Sequence, residues 1–301
     1  MRRALVLPVG LLLLASPVQG MQSGGIETFA AETLFDQGTR VSLTSITERK
    51  NDLYSGSHRT SNPNRLKYDE QRYVLGIDYG LRPDVTLSFL LPHVTKRSQS
   101  RTQTLRSSGV GDAAVLGKFR LLKDNWKQSS FQVSFVGGVE TPTGTTSARD
   151  KGIRLPVPMQ PGRGAWNPFV ALSTTLNRNR LRYDAVAFFK VNTEGSQDFE
   201  KGDFASFEVD AAYRFLHNKY PGPTASARIG LQWRYDGRDS VSGNSLGDSG
   251  GTALLLRPGL GWHPTPATDV SLKLDIPLRQ HVNGTQLALD NRIFLAVGLR
   301  F

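Results

Sequence analysis

The sequence predicts an all-β fold, a transmembrane antiparallel up-and-down β-barrel of about 12 strands with both termini periplasmic. Three observations carry this expectation. Oily and polar side chains alternate with period two in segment after segment of the 301-residue chain. Past the first stretch, 1–20, no run approaches the ~18 apolar residues that a membrane helix requires. Short and long polar links alternate, as periplasmic turns and external loops do in outer-membrane barrels.

Residues 1–20 fit a secretory signal peptide. Arg2 and Arg3 precede an apolar run, 4–15, interrupted by Pro8, and Val18-Gln19-Gly20 suits cleavage. Residues 21–38 follow as a periplasmic N-terminal segment with Phe29, Leu34 and Phe35; an arm, a short plug and a partial strand all fit it. The barrel is expected over 39–301. The chain has no cysteine, which excludes disulfides, thiolate metal sites and a lipoprotein anchor. Its formal net charge of +11 points to anionic partners. Export disfavours nucleic acid and leaves lipopolysaccharide phosphate or an anionic solute. Hydrophobic residues make up 38% of the chain, as expected when only alternate strand positions meet lipid.

In chain order, the alternation predicts strands at 39–48, 68–80, 83–95, 110–121, 129–140, 165–177, 180–191, 203–216, 224–236, 251–262, 268–279 and 287–301. Links after even strands are short. Those after odd strands are mostly long, with 280–286 the shortest of them. In the seventh strand Tyr183, Ala185, Ala187 and Phe189 oppose Arg182, Asp184 and Lys190. In the eighth, Phe207, Val209 and Tyr213 oppose Glu208, Asp210 and Arg214. The ninth sets Leu231 and Trp233 against Arg228 and Arg234, and the eleventh sets Leu272, Leu274 and Ile276 against Lys273, Asp275 and Arg279. A lipid-facing Arg or Lys costs ~2–4 kcal/mol at the midplane, so the charged parity faces the lumen. The last strand ends on Phe301. Closing it against the first removes both free edges, and its terminal Phe resembles the insertion signal that barrels present to their insertion machinery.

Parity nominates Arg182, Asp184, Glu208, Asp210, Arg214, Arg228, Arg234, Arg257, Lys273 and Asp275 as lumen residues. Such a mixed set either braces the barrel with ion pairs or lines a narrow conduit favouring anions. About 12 strands lie between the ~8 that side chains fill and the ~16–18 that leave a broad channel. Basic external loops carry Lys96, Arg97, Arg101 and Arg106, then Arg149, Lys151, Arg154 and Arg163, a crown suited to lipopolysaccharide phosphates. Pro92, Pro258 and Pro277 fall inside strands and mark bulges or a lateral gate. Catalysis is not expected. His93-Val94-Thr95 is the one His-x-hydroxyl strand pairing, Ser57 lies beside His58, and no His pair has helical metal spacing. No cofactor or metal is implied.

Several motifs then carry a resemblance. Gly76-Ile77-Asp78-Tyr79-Gly80-Leu81 leads into Val85 to Pro92, Gly109-Val110-Gly111-Asp112 into Gly117-Lys118-Phe119-Arg120, and Gly138 to Glu140 into Thr141-Pro142-Thr143-Gly144. Together they resemble the MetA-pathway phenol-degradation family of outer-membrane transporters. The chain departs at Glu140-Thr141, where Leu commonly precedes Pro-Thr-Gly, and in its arginine-rich third loop. The resemblance implies uptake of small organic, aromatic or anionic solutes and supplies no catalytic residues. A closed structural or lipopolysaccharide-binding barrel is the alternative, and a lipid hydrolase using His93 or His58 the third. The expected partners are outer-membrane lipid and lipopolysaccharide, the insertion machinery and a small-molecule solute, without nucleic acid; the sequence leaves the oligomeric state open.

Overall fold

A computed structural model describes residues 30–301, so the expected signal and the first part of the leading segment lie outside the described residues. Twelve strands form one closed antiparallel barrel. They are β1 (Thr39–Lys50), β2 (Lys67–Arg82), β3 (Val85–Gln99), β4 (Thr104–Val110 and Ala114–Trp126), β5 (Ser129–Glu140) and β6 (Asn167–Arg178). The second half comprises β7 (Leu181–Lys190), β8 (Phe204–His217), β9 (Thr224–Asp236), β10 (Gly251–Leu256 and Gly259–Thr265), β11 (Thr268–Leu287) and β12 (Asn291–Arg300).

Each strand pairs with its chain neighbours, and β12 returns to β1, from Arg300 opposite Arg40 to Asn291 opposite Arg49. Phe301 continues this seam. Its N–H donates to the Thr39 carbonyl at 2.8 Å, and the Thr39 N–H returns a bond at 3.2 Å. Neither edge is left free. The oily parity lies outside, with Leu43, Ile77, Phe89, Val115, Val209 and Leu295 all exposed on the wall. This is the inverse of a soluble protein and the arrangement that lipid demands.

The turn end of the barrel has tight links, such as Pro83-Asp84 and Lys127-Gln128. The loop end carries the long connections, 51–66, 141–166, 191–203 and 237–250. Two expected loops are largely strand. β3 and β4 extend into a tall hairpin closed by 100–103, and β11 runs to Leu287, where Leu53 pairs with it. Strands that rise beyond the lipid have no apolar face to bury, so hydrophobic alternation falls silent there while the ladder continues.

The in-strand prolines sit at irregularities. Gly111, in the break of β4, donates its N–H to the Pro92 carbonyl at 2.8 Å. Pro258 lies in the break of β10, and Pro277 faces Leu255 where the β10–β11 register shifts. These are bulges in a continuous wall. The shift also corrects one expectation: Arg279, read as inward, lies past the extra residue and is exposed.

Candidate functional site: the barrel lumen

The inner wall has two chemically distinct sides. On β7–β12, the charged parity forms clusters of ion pairs. Arg182 bonds Asp184 (Nε–Oδ2 2.6 Å), and Arg228 bridges Asp184 (3.1 Å) and Asp210 (3.0 Å). Arg257, 1% exposed, lies between Glu208 (2.5 Å) and Asp275 (2.7 Å). Lys273 approaches Glu208 at 3.7 Å, and Arg292 joins Asp275 to Glu48. Arg234 pairs with Asp236 at 3.1 Å. Near the turn end Arg40 binds Asp78 and Asp269. Of the ten nominated lumen residues, only Arg214 has no carboxylate within ion-pair distance among the described residues; it lines a small cavity of ≈ 60 Å³ with Arg180, Tyr220 and His263. Pairing of this kind is obligatory, because an unmatched buried charge costs several kcal/mol.

The other side, β3–β8, is apolar in the half nearer the loop end. Leu90, Ala114, Leu116, Val136, Phe169, Ala171, Val186, Phe188 and Phe204 form one cluster. Phe169 stacks on Phe188 at 5.6 Å, and Phe188 lies 5.8 Å from Phe204. Sequence parity marks these positions as inward without distinguishing them from their charged neighbours. Across the lumen, Phe294 of β12 lies beneath the cations of Arg257, Lys273 and Arg292, at 5.7, 5.1 and 6.0 Å.

Two elements occlude the lumen. From the turn end, residues 30–34, the part of the leading segment whose inward contacts are described, enter it. The Lys118 ammonium donates to the carbonyls of Ala30 (2.9 Å) and Glu32 (3.2 Å), and the Ser134 hydroxyl to that of Ala31. Thr175 Oγ1 accepts from the Ala31 N–H (3.1 Å) and Thr86 Oγ1 from the Leu34 N–H (2.8 Å). Arg120 donates to Thr33 Oγ1 at 2.8 Å, and Arg182 forks onto the Glu32 carboxylate at 2.5 and 2.8 Å. Ala31 is fully buried. From the loop end, the 141–166 connection folds a turn inward, burying Leu155, Val157, Met159 and Gln160. Ser107 Oγ donates to the Met159 carbonyl at 2.5 Å.

Lys96 of β3 holds that turn. Read as part of the basic crown, it is instead inward-facing and 8% exposed, and its Nζ donates to the carbonyls of Pro158 (3.0 Å) and Gln160 (2.7 Å). Alternation runs on into the tall hairpin, and Lys96 falls on its inner side. Arg163 is half-buried, while Arg97, Arg101, Arg106, Arg149, Lys151 and Arg154 are exposed. Arg149 and Arg154 bond carbonyls of their own loop.

His93 contacts Ser108 (Nε2–Oγ 3.1 Å) on the outer wall, and His281 of β11 contacts Ser57 (Nδ1–Oγ 3.0 Å) at the loop end. In neither pair does a third group orient the second ring nitrogen among the described residues. The arrangement lacks what a triad requires. His58 is exposed and forms no part of either pair.

The profile of the MetA-pathway of phenol degradation family matches residues 53–288. The chain belongs to this family. No curated protein gives a significant match to its sequence. Among solved structures, an outer-membrane channel from Pseudomonas putida F1 superposes with a TM-score of 0.72 at 19% identity, covering 92% of this chain and all of that one. The β domain of the Bordetella autotransporter BrkA gives 0.50 at 8% identity, over 88% of this chain and all of that one. These likenesses establish the fold, and the closed wall with its apolar exterior places this family member in the outer membrane.

The motifs that carry the resemblance have a physical role in the fold. Asp112 accepts the N–H groups of Gly144 (2.9 Å) and Arg163 (2.6 Å), tying the two ends of the inward turn together. Gly144 and Gly162 approach so closely that a Cβ on either would meet backbone at 2.6 Å. The Gly-x-Gly-Asp and Pro-Thr-Gly segments are therefore loop anchors rather than solute ligands.

Proposed function

We propose that this barrel is an outer-membrane channel for small organic solutes, aromatic ones foremost, with its turn end and both termini in the periplasm. The observation that carries the proposal is the manner of occlusion. Residues 30–36 are held by side chains of the wall, whereas Gln37 and Gly38 bond the main chain of Gly80, so 30–36 can leave without breaking a ladder bond. Their departure bares Lys118, Arg120 and Arg182 on one side of the lumen, which gives the open state an electrostatic preference for anions. The phenyl cluster on β6–β8 offers an aromatic ring a surface, while the charged side supplies donors to hydroxyl or carboxylate groups. A benzoate-sized solute matches both. The closed-barrel reading describes the resting state: with both occluding elements in place nothing passes. Catalysis is no part of the proposal, since neither Ser–His pair has an orienting third group. Phe301, paired at the seam, serves as the terminal signal to the insertion machinery.

The test compares the full chain with a variant lacking residues 30–36, refolded into planar bilayers and liposomes. Discrete openings, larger and anion-selective in the deletion variant, together with faster entry of an aromatic acid than of a sugar of similar size, are expected. Absence of current and of solute entry in both proteins overturns the proposal.

A further inference from the structure

Across β1–β4 the ladder register aligns the outward side chains into rows. Val41, Ile77, Phe89 and Val115 form one, and Leu43, Leu75 and Leu91 the next toward the loop end. Ser45, Tyr73, His93 and Val110 follow, then Thr47, Gln71, Thr95 and Ser108. The row beyond is Arg49, Asp69, Arg97 and Arg106, with Lys67 one step higher on β2.

Heights follow from strand geometry. On β2 the outward residues from Leu81 to Tyr73 are all apolar, about 27 Å of strand at ~3.4 Å per residue. A tilt of ~40° makes this a band about 20 Å tall. The cationic row lies four residues further, about 10 Å above Tyr73 at the same tilt. That is headgroup height.

Arg49, Lys67, Arg97 and Arg106 are exposed, and none is ion-paired among the described residues. Asp69 is the one acid in the row. The shelf therefore presents four cations against Asp69, with the Asp150 carboxylate beside it accepting the Arg106 backbone N–H at 2.9 Å. The surface is also concave: Arg49, Lys67, Asp69, Glu70, Gln71 and Arg97 line part of an open groove of ≈ 480 Å³, Glu70 being ion-paired with Arg72.

We infer that this shelf is a binding site for the phosphate groups of an outer-leaflet lipid, with Arg49, Arg97 and Arg106 as the principal phosphate ligands and Lys67 above them. Arg is suited to the task because its planar fork binds phosphate through two parallel donors. Acyl chains of the same lipid would lie along the Leu75–Leu91 rows directly below. Lys96, on the same strand with opposite parity, takes no part. The inference rests on the orientation proposed above, with the loop end outward, but not on conduction.

The test measures lipid binding to the refolded full chain in detergent by native mass spectrometry, using bisphosphorylated, monophosphorylated and dephosphorylated lipid A. Affinity should fall in that order. The variant Arg49→Gln/Arg97→Gln/Arg106→Gln should bind bisphosphorylated lipid A about a hundredfold more weakly, at about fivefold per surface cation removed. Lys123→Gln/Lys127→Gln, two exposed cations at the turn end, should bind as the wild type does. Asp69→Asn removes the repulsive acid and should bind more tightly, a gain that misfolding cannot imitate. Unchanged binding by the triple variant, or equal binding of dephosphorylated lipid A, overturns the inference. Displacement of the lipid by millimolar inorganic phosphate would make this a site for free anions and would overturn it equally.

Discussion

Glu32→Ala tests whether the leading segment is a removable stopper. Four charge-assisted contacts (two from Lys118, one from Arg120, and the Arg182 fork taken as one) hold it. At ~2 kcal/mol each, with the three neutral bonds away from solvent at ~1 kcal/mol and the exposed Thr33 hydroxyl bond to the Pro83 carbonyl counted as nil, they sum to roughly 11 kcal/mol. Ordering residues 30–35 costs about 1.5 kcal/mol each, roughly 9 kcal/mol in all. The difference of about 2 kcal/mol leaves the segment displaced a few per cent of the time. The substitution removes the fork, worth about 2 kcal/mol, and brings the two states near parity, a rise of about tenfold or more in the displaced population. Arg182 keeps Asp184, so the wall itself is not left with an orphaned charge. The chain has no cysteine, so Ser134→Cys, beneath the Ala31 carbonyl, supplies a single thiol in both backgrounds. Its rate of labelling by a soluble thiol reagent reports the displaced fraction. An equal rate in the presence and absence of the Glu32 carboxylate would refute the reasoning, as would rapid labelling in both backgrounds.

Asp112→Ala removes two bonds to backbone N–H groups, costs about 1–3 kcal/mol, and should expose 141–166 to limited proteolysis while the barrel remains heat-modifiable on gels. Arg257→Met leaves Glu208 and Asp275 only the longer contacts of Lys273 (3.7 Å) and Arg292 (3.6 Å) and should destabilise the barrel by about 3 kcal/mol, the low end for a broken buried pair, in urea unfolding from liposomes; the double change with Asp275→Leu should recover part of that loss. Deleting Phe301 should slow assembly by the cellular insertion machinery, and spontaneous refolding into detergent much less. Equal slowing in both would make Phe301 a seam residue only.

The wall of the barrel is legible in the sequence alone. Alternation in 180–191 and 203–216 separates Arg182 and Glu208 from Tyr183 and Phe207, and the cost of a charge in lipid leaves one orientation for each strand. Period two encodes which face a side chain takes, and that information is local. It says nothing about which inward residue meets which, since partners such as Arg257 with Glu208, or Arg182 with Glu32, are set by register and closure around the barrel. Nor can it divide the inner wall into an apolar and a charged side, because that division runs across strands rather than along them. Lys96 escapes the alternation argument for a related reason: beyond the lipid both faces of the hairpin are polar, and only the folded turn at 157–161 shows which side is inside. The leading segment has no periodicity at all. Its main chain is gripped by Lys118, Ser134, Thr175 and Thr86, residues from four different strands that only the closed tertiary structure brings together.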